Sequence, residues 1–268
     1  MLNYKRVKAV LKKDLLQTIN DKTMIISLMI IPVMFSIILP VLIISLGFNS
    51  GIVNSLSGLN AFTHFVIKNN IGGNLNMEGK IIYSVFQYFF IPLFLLIPLL
   101  IDTVLASTGF IGEKEKRTIE GLLYTPITDS ELLLAKMLAS LLPSTTISWI
   151  AIFIYWFIVD IKCHKIIGII FPNTLWLLII VMIPLISLLA IELITIFSQY
   201  LKTSKSAQSV TGMLVFPIIA GVVSQSSGVL LINKTFILGI LSVLIILDVL
   251  FFYFSVMRFN RERFLLKE

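Results

Sequence analysis

The sequence predicts an all-α integral membrane protein with six transmembrane helices. Apolar residues make up 57% of the 268-residue chain and only 13% of residues are charged. The mean hydropathy is +1.00, which lies far outside the range of soluble globular domains. The apolar runs are continuous, whereas a transmembrane β-barrel would show apolar and polar residues in alternation. We therefore expect a single transmembrane domain over residues 1–268.

Six apolar stretches are long enough to cross the hydrocarbon core as helices, which takes about 20 residues each. The predicted spans are residues 23–46, 81–110, 130–159, 172–200, 207–224 and 235–257. Most of the 21 Lys and Arg residues lie in the two terminal segments and in the loops after the second and fourth spans. Because cytoplasmic flanks are enriched in positive charge, both termini are predicted to be cytoplasmic.

Residues 1–22 are predicted to form an amphipathic helix in the cytoplasmic membrane interface. Apolar side chains repeat there at helical spacing beside a stripe of lysines. The apolar set is Tyr4, Val7, Leu11 and Leu15, and the basic set is Lys5, Lys8 and Lys12. The pattern is equally typical of a simple topology anchor for the first span.

The charged segment 113–124, E-K-E-K-R-T-I-E-G-L-L-Y, lies between the second and third predicted spans and must lie outside the bilayer. A helix there would carry charged side chains on one face and apolar ones on the other. Pro126 would end this helix, and Thr128 with Glu131 has the capping-box spacing that begins the next one. The pattern indicates a helix that docks a soluble partner, or an interfacial loop that only solvates charge.

Three short motifs follow one another in this region: E-K-E-K-R-T-I-E at 113–120, T-P-I-T at 125–128 and E-L-L-L-A-K at 131–136. The set resembles that of ABC-2 type transporter permeases, which usually show E-K-E-R-G-T-L-E, T-P-V/I-S/T and E-L-L-L-G-K. The departures are Lys116 and Arg117 in place of Arg-Gly, Gly121 in place of Leu, and Ala135 in place of Gly.

The resemblance implies the permease subunit of an ABC exporter, with a cytoplasmic coupling helix at 112–126 that rests on an ATP-binding cassette protein. Such permeases pair as homo- or heterodimers on two cassettes, and they export hydrophobic or amphipathic cargo such as peptides, drugs or lipids. Carried over to this sequence, the cassette-coupling residues are Glu113, Glu115, Arg117, Thr118, Glu120 and Pro126.

ATP hydrolysis is expected on a separate chain, because the sequence contains no G-x-x-x-x-G-K-S/T phosphate loop. The chain is therefore expected to be no enzyme and to bind no cofactor itself, with ATP and Mg on the partner cassette.

Cys163 and His164 supply only two ligands, so no metal site is expected. Basic rims facing anionic membrane lipids explain the pI near 9.5 without a nucleic-acid partner. The composition, rich in Ile, Asn and Lys, favours a bacterial plasma membrane.

Asp102, Glu192 and Asp248 lie inside the second, fourth and sixth predicted spans. Each is about 10 residues, or about 15 Å, from the cytoplasmic rim. An ionised side chain at that depth costs at least ~2.5 kcal/mol and is expected to face protein or water. These carboxylates could join helices by hydrogen bonds, line a translocation path, or bind a coupling ion. Two alternative functions follow: an ion-coupled secondary carrier, and a non-transporting membrane scaffold or immunity protein.

Overall fold

The computed structural model describes residues 3–46, 90–115, 127–167, 174–198, 203–226 and 234–258, together with residues 79, 85, 86, 200 and 201. Within these ranges all regular structure is helical. The helices are α1 (Tyr4–Asn20), α2 (Lys22–Val33), α3 (Leu39–Leu46), α4 (Phe90–Ser107), α5 (Glu113–Glu115), α6 (Asp129–Ile167), α7 (Thr174–Ser198), α8 (Ser204–Gly212), α9 (Val215–Ser226) and α10 (Lys234–Arg258). A π-helical turn at Met34–Ile38 joins α2 to α3, and another at Thr108–Gly112 joins α4 to α5.

Five helical runs are long and apolar enough to cross a membrane. They are Lys22–Ser45, Phe90–Gly112, Asp129–Cys163, Trp176–Ser198 and Ile237–Met257. Each overlaps one of the six predicted spans, so hydropathy located these five correctly.

The predicted fifth span, 207–224, is not one continuous helix. α8 ends at Gly212, and α9 begins at Val215 after a short turn. Pro217 falls in the first turn of α9, where the backbone N–H groups have no partner inside the helix and proline is therefore tolerated. The 12 residues of α9 are about 18 Å long, shorter than the ~30 Å hydrocarbon core. The predicted span therefore contains two short helices with a turn at residues 213 and 214 between them.

Helix α4 lies at the centre of the bundle. In its span 83% of residues are buried, against 22% in the span of α2 and α3 and 17% in that of α10. α6, α7, α8 and α9 all pack against α4, whereas α10 packs mainly against α7. The peripheral helices expose many large apolar side chains, as expected for helices that face lipid.

Side-chain caps fix where two of the long helices begin. Asp21 Oδ1 accepts a hydrogen bond from the Met24 N–H at 3.1 Å at the start of α2. At the start of α6, Glu131 Oε2 accepts from the Thr128 N–H at 3.0 Å, and Thr128 Oγ1 accepts from the Glu131 N–H at 3.4 Å. The predicted capping box is therefore confirmed.

The predicted interfacial helix is α1, and it packs against the first turns of α6. Val10 is buried against Leu132, and Glu131 Oε1 accepts a 2.7 Å hydrogen bond from the Asn3 N–H. Val7 of the predicted apolar stripe packs against this contact, whereas Tyr4 of the same stripe is 76% exposed. Contact with α6 therefore buries Val10, which the predicted stripe did not include.

Aromatic side chains from α4, α6 and α7 surround Tyr155. Its ring centroid lies 4.8 Å from that of Phe94, 5.0 Å from that of Phe90 and 5.4 Å from that of Trp176. Its hydroxyl donates a 2.7 Å hydrogen bond to the backbone carbonyl of Phe86. Because aromatic pairs contribute ~0.5–1.5 kcal/mol beyond their buried area, this cluster ties the central helices together.

We expect Tyr155→Phe to destabilise the fold by about 1–3 kcal/mol, because the buried Phe86 carbonyl would lose its donor. Tyr155→Ala should cost about 3–5 kcal/mol, since it also leaves a cavity. Tyr253→Phe on the exposed face of α10 is the matched control and should stay within about 0.5 kcal/mol. Thermal unfolding in detergent measures all three variants. Equal melting temperatures for Tyr155→Ala and Tyr253→Phe would contradict a structural role for the cluster.

Candidate functional site

Four charged side chains from three helices meet where α4 ends and α6 begins. We call them the rim cluster: Lys13 and Asp14 of α1, Glu113 of α5 and Lys136 of α6. Glu113 Oε1 lies 2.6 Å from Lys13 Nζ, and its Oε2 lies 2.7 Å from Lys136 Nζ. Asp14 lies 3.5 Å from each ammonium group. Two positive and two negative charges therefore compensate one another at the junction of these helices.

Lys136 is the most buried member of the rim cluster, with its side chain 2% exposed. Its ammonium group donates a 2.7 Å hydrogen bond to the carbonyl of Gly109 and lies 5.9 Å from the centroid of the Phe110 ring. Both residues belong to the π-helical turn that follows α4. A buried ammonium must be paired to be tolerated, so Lys136 holds α1, α5 and the end of α4 in one arrangement.

Glu113 and Lys13 of the rim cluster are ionised at neutral pH. Burial raises the pKa of Glu113, but the positive charges of Lys136 and Lys13 outweigh this effect and hold the pKa below its usual 4.5. Burial lowers the pKa of Lys13, but the hydrogen bond and charge of Glu113 outweigh burial and raise the pKa above 10.5. Opposite charges each favour the partner's ionised form, so both groups stay charged over the physiological range.

A second contact joins α5 to the start of α8. Glu115 Oε2 accepts a 2.6 Å hydrogen bond from the Ser204 hydroxyl, and Oε1 accepts one from the Ser204 N–H at 3.2 Å. Ser204 is the first residue of α8, so the carboxylate satisfies an N–H that has no partner inside the helix. The two glutamates of α5 thus connect it to α1, α6 and α8.

The predicted coupling helix, 112–126, is described only as far as α5. Glu113 and Glu115 lie in that part and make the contacts given above. Outside the residues that the structure describes lie Arg117, Thr118, Glu120 and Pro126.

Sequence reasoning missed the partners of Glu113. Lys136 stands at the end of the E-L-L-L-A-K motif and precedes a long apolar stretch, and a lysine so placed signals a buried pair. Lys13 lies 100 residues before Glu113. No local pattern marks that contact, because only the packing of α1 on α6 creates it.

The three carboxylates predicted to lie in the membrane are buried: Asp102, Glu192 and Asp248 are 0%, 1% and 6% exposed. Asp102 lies beside Ser144 and Ser187, whose hydroxyl oxygens are 3.2 Å apart. Glu192 of α7 interacts electrostatically with Asp248 of α10. The carboxylates thus form two groups, a single aspartate between α4, α6 and α7 and a pair between α7 and α10.

These carboxylates differ from those of the rim cluster, whose carboxylates lie 2.6–3.5 Å from lysine ammonium groups, in having no such ion pair among the described residues. Both carboxylate oxygens of Asp248 and Oε2 of Glu192 are buried there without a hydrogen-bond partner, whereas Asp102 has the hydroxyls of Ser144 and Ser187 beside it. Leaving a buried polar group unsatisfied costs about 1–3 kcal/mol. Such groups in a membrane span are candidates for function rather than for stability.

An apolar cavity of about 550 Å³ lies between α4, α7, α9 and α10. Every residue that lines it is apolar or glycine, and we refer to it as the apolar cavity. Its walls on α7 and α10 include Met182, Ile186, Leu189, Ile240, Leu244 and Leu247. The break between α8 and α9 places α9 as one of its walls.

A family model described as ABC-2 family transporter protein matches residues 66–244, roughly two thirds of the 268 residues. The chain belongs to this family. Membrane proteins of the ABC-2 family are transport subunits that are not themselves catalytic, and they typically partner with ATP-binding cassette subunits. This ABC-2 protein is therefore a multi-pass membrane protein of an ABC transporter, which confirms the resemblance seen in the motifs. Comparison with curated proteins finds no match to the chain.

The rim cluster should contribute to the free energy of unfolding mainly through Lys136, its most buried member. Lys136→Met leaves Glu113 and Asp14 with only one compensating ammonium, and we expect a loss of about 3–5 kcal/mol. The Lys13 side chain is 48% exposed, so Lys13→Met should cost only about 0–1 kcal/mol because water replaces the ammonium. Lys12→Met on the exposed side of α1 is the control. Thermal unfolding ranks the three variants, and equal losses at Lys136 and Lys13 would contradict the importance of burial.

The stability that Glu113 contributes should depend on pH in the acid range. Its pKa is lower in the folded protein than the usual 4.5, so its contribution is complete above pH 4.5 and disappears as the pH falls through the folded-state value. The difference in unfolding free energy between wild type and Glu113→Gln should shrink as the pH falls below 4.5. Unfolding measured from pH 7 to pH 3 tests this expectation, and a constant difference would refute it.

Proposed function

We propose that this ABC-2 protein is the permease subunit of an ATP-binding cassette exporter that moves hydrophobic or amphipathic cargo outward. The observation that carries the proposal is the family match over residues 66–244, which includes the charged segment between the second and third predicted spans. ATP and Mg belong to the separate cassette subunit, and a second permease completes a homo- or heterodimer. In this proposal α8 and α9 together form the fifth of six spans, both termini are cytoplasmic, and the membrane is a bacterial plasma membrane.

The coupling helix at 112–126 would transmit motion from the cassette to the bundle. We assign contact with the cassette to four residues of this helix, Glu115, Arg117, Thr118 and Glu120. Pro126 would set the angle of the turn that follows them. Glu113 is 5% exposed and bonded to two lysines, so we assign it to transmission rather than to contact. When cassettes close on ATP and push the coupling helices together, the rim cluster would carry that displacement to α1 and α6.

The π-helical turn at Thr108–Gly112 supports this route. It directly links the coupling helix to α4, the most buried helix of the bundle. Such turns are frequent at functional sites. A displacement of Glu113 would therefore act on the central helix through a short connection, and Asp102, Glu192 and Asp248 would line the path that opens.

An ion-coupled carrier is the second candidate function. The buried oxygens of Glu192 and Asp248 that have no hydrogen bond among the described residues favour it, since a coupling ion or proton would compensate such carboxylates. The two candidate functions differ in whether a cassette is needed.

The deciding experiment is purification of the chain from its native membrane in mild detergent, with mass spectrometry of the proteins that accompany it. We expect a stoichiometric protein that carries a phosphate-loop motif. Glu120→Lys should reduce its recovery at least about tenfold, because reversing a charge at an interface costs several kcal/mol. Asp160→Lys, near the opposite end of α6, is the matched control and should retain the cassette.

Recovery of a folded chain without any cassette would refute the permease proposal. Flux driven by proton or sodium gradients in vesicles would then test the ion-coupled carrier, with Asp248→Asn expected to abolish transport.

A further inference from the structure

The apolar cavity has the size of a binding site for a small molecule. Its volume of about 550 Å³ falls within the ~300–1,000 Å³ that is typical of ligand pockets. Four helices contribute to its walls, and two of them, α7 and α10, carry the Glu192–Asp248 pair. The cavity alone would suit any apolar molecule, so its chemistry depends on what borders it.

The Glu192–Asp248 pair lies one helical turn beyond the cavity wall. On α10, Asp248 follows the wall residue Leu244 by four positions, and on α7 Glu192 follows the wall residue Leu189 by three. Residues three and four apart share a helix face. Neither carboxylate lines the cavity itself, and each lies three or four residues along its helix from a wall residue, toward the end of α7 that is close to α8.

The charge environment of this pair differs from that of the rim cluster. Within the described part of the chain neither Glu192 nor Asp248 takes part in an ion pair, in contrast to Glu113, which has two ammonium partners. Both side chains are at least nine-tenths buried, and three of their four carboxylate oxygens are buried without a hydrogen bond. Buried carboxylates are ordinarily either protonated or compensated by a positive charge, so a cation from outside the chain would stabilise the ionised form of this pair.

We propose that the apolar cavity and the Glu192–Asp248 pair together bind a lipophilic cation, and that this is the class of cargo. Its apolar body would fill the cavity, and its positive group would lie at the two carboxylates. The proposal rests on the proposed function, since it names the cargo of the same permease. A neutral lipid would leave the carboxylates uncompensated, and an inorganic cation would leave the apolar cavity unused.

Tetraphenylphosphonium is a suitable probe, because tetraphenylborate has nearly the same shape and the opposite charge. Binding of each is measured separately by equilibrium dialysis with the full chain in nanodiscs of zwitterionic lipid, with empty nanodiscs subtracted. We expect saturable binding of tetraphenylphosphonium, no saturable binding of tetraphenylborate, and no displacement by sodium. Equal binding of the two probes would refute charge recognition, and full displacement by sodium would identify an inorganic cation site instead.

Substitutions at the two carboxylates and in the wall of the apolar cavity test where tetraphenylphosphonium binds. Asp248→Asn and Glu192→Gln keep the side-chain shape and should each weaken tetraphenylphosphonium binding at least about tenfold, since they remove a buried charge partner. Ile240→Trp should weaken it similarly by filling the cavity. Asp160→Asn removes a carboxylate from α6, which does not line the cavity, and should bind as the wild type does. Unchanged binding in Asp248→Asn and Glu192→Gln would overturn the proposal.

The comparison of the two probes on the wild-type chain decides the question even if a variant fails to fold. It also separates this inference from the proposed function, because the binding measurement needs no cassette. A chain that recovers a cassette but binds both probes alike keeps the proposed function and loses this inference. A chain that binds the cation without any cassette keeps the site and loses the permease assignment.

Discussion

The burial of the Lys136 ammonium group determines how the helices are arranged where α4 ends and α6 begins. Lys136 stands in the first turns of α6, where apolar residues on both sides draw the helix into the bundle, and its charge must then be compensated within the protein. Glu113 and Asp14 supply that compensation, and a π-helical turn supplies a carbonyl. Because the partners come from different helices, satisfying a single side chain fixes how α1, α4, α5 and α6 meet.

The sequence predicts well those features that depend on local physical chemistry. Hydropathy is summed over a helix, so five predicted spans overlap helices that are long and apolar enough to cross a membrane. The capping box at Thr128 and Glu131 was found because its bonds reach only three residues. Features set by tertiary packing were not predictable in this way. The break between α8 and α9 lies where the mostly polar α8 is followed by the apolar α9, and a prediction of one span over 207–224 does not resolve it. The burial of Val10 depends on where α6 passes α1.

The buried carboxylates fall into two classes with different physical meanings. Glu113 is matched by lysines, and its burial stabilises an arrangement of helices. Asp102, Glu192 and Asp248, which were expected to face protein or water, are buried, yet sequence alone could not tell which would pair with which. In the described part of the chain, Glu192 and Asp248 keep buried oxygens without a hydrogen bond. In the proposed function, the first class gives a rigid connection at the end that receives force, and the second gives chemical selectivity at the depth where cargo passes.

The length of α6 has a mechanical consequence. Its 39 residues correspond to about 58 Å at about 1.5 Å per residue, nearly twice the ~30 Å hydrocarbon core. One end is held by the rim cluster, and Tyr155 lies far along the same helix among the aromatic rings of α4 and α7. A tilt of only about 5° about the held end would displace the other end by about 5 Å over that length. α6 thus connects the ionic rim cluster to the aromatic core, and a small rotation about its held end corresponds to a displacement of several ångströms at its other end.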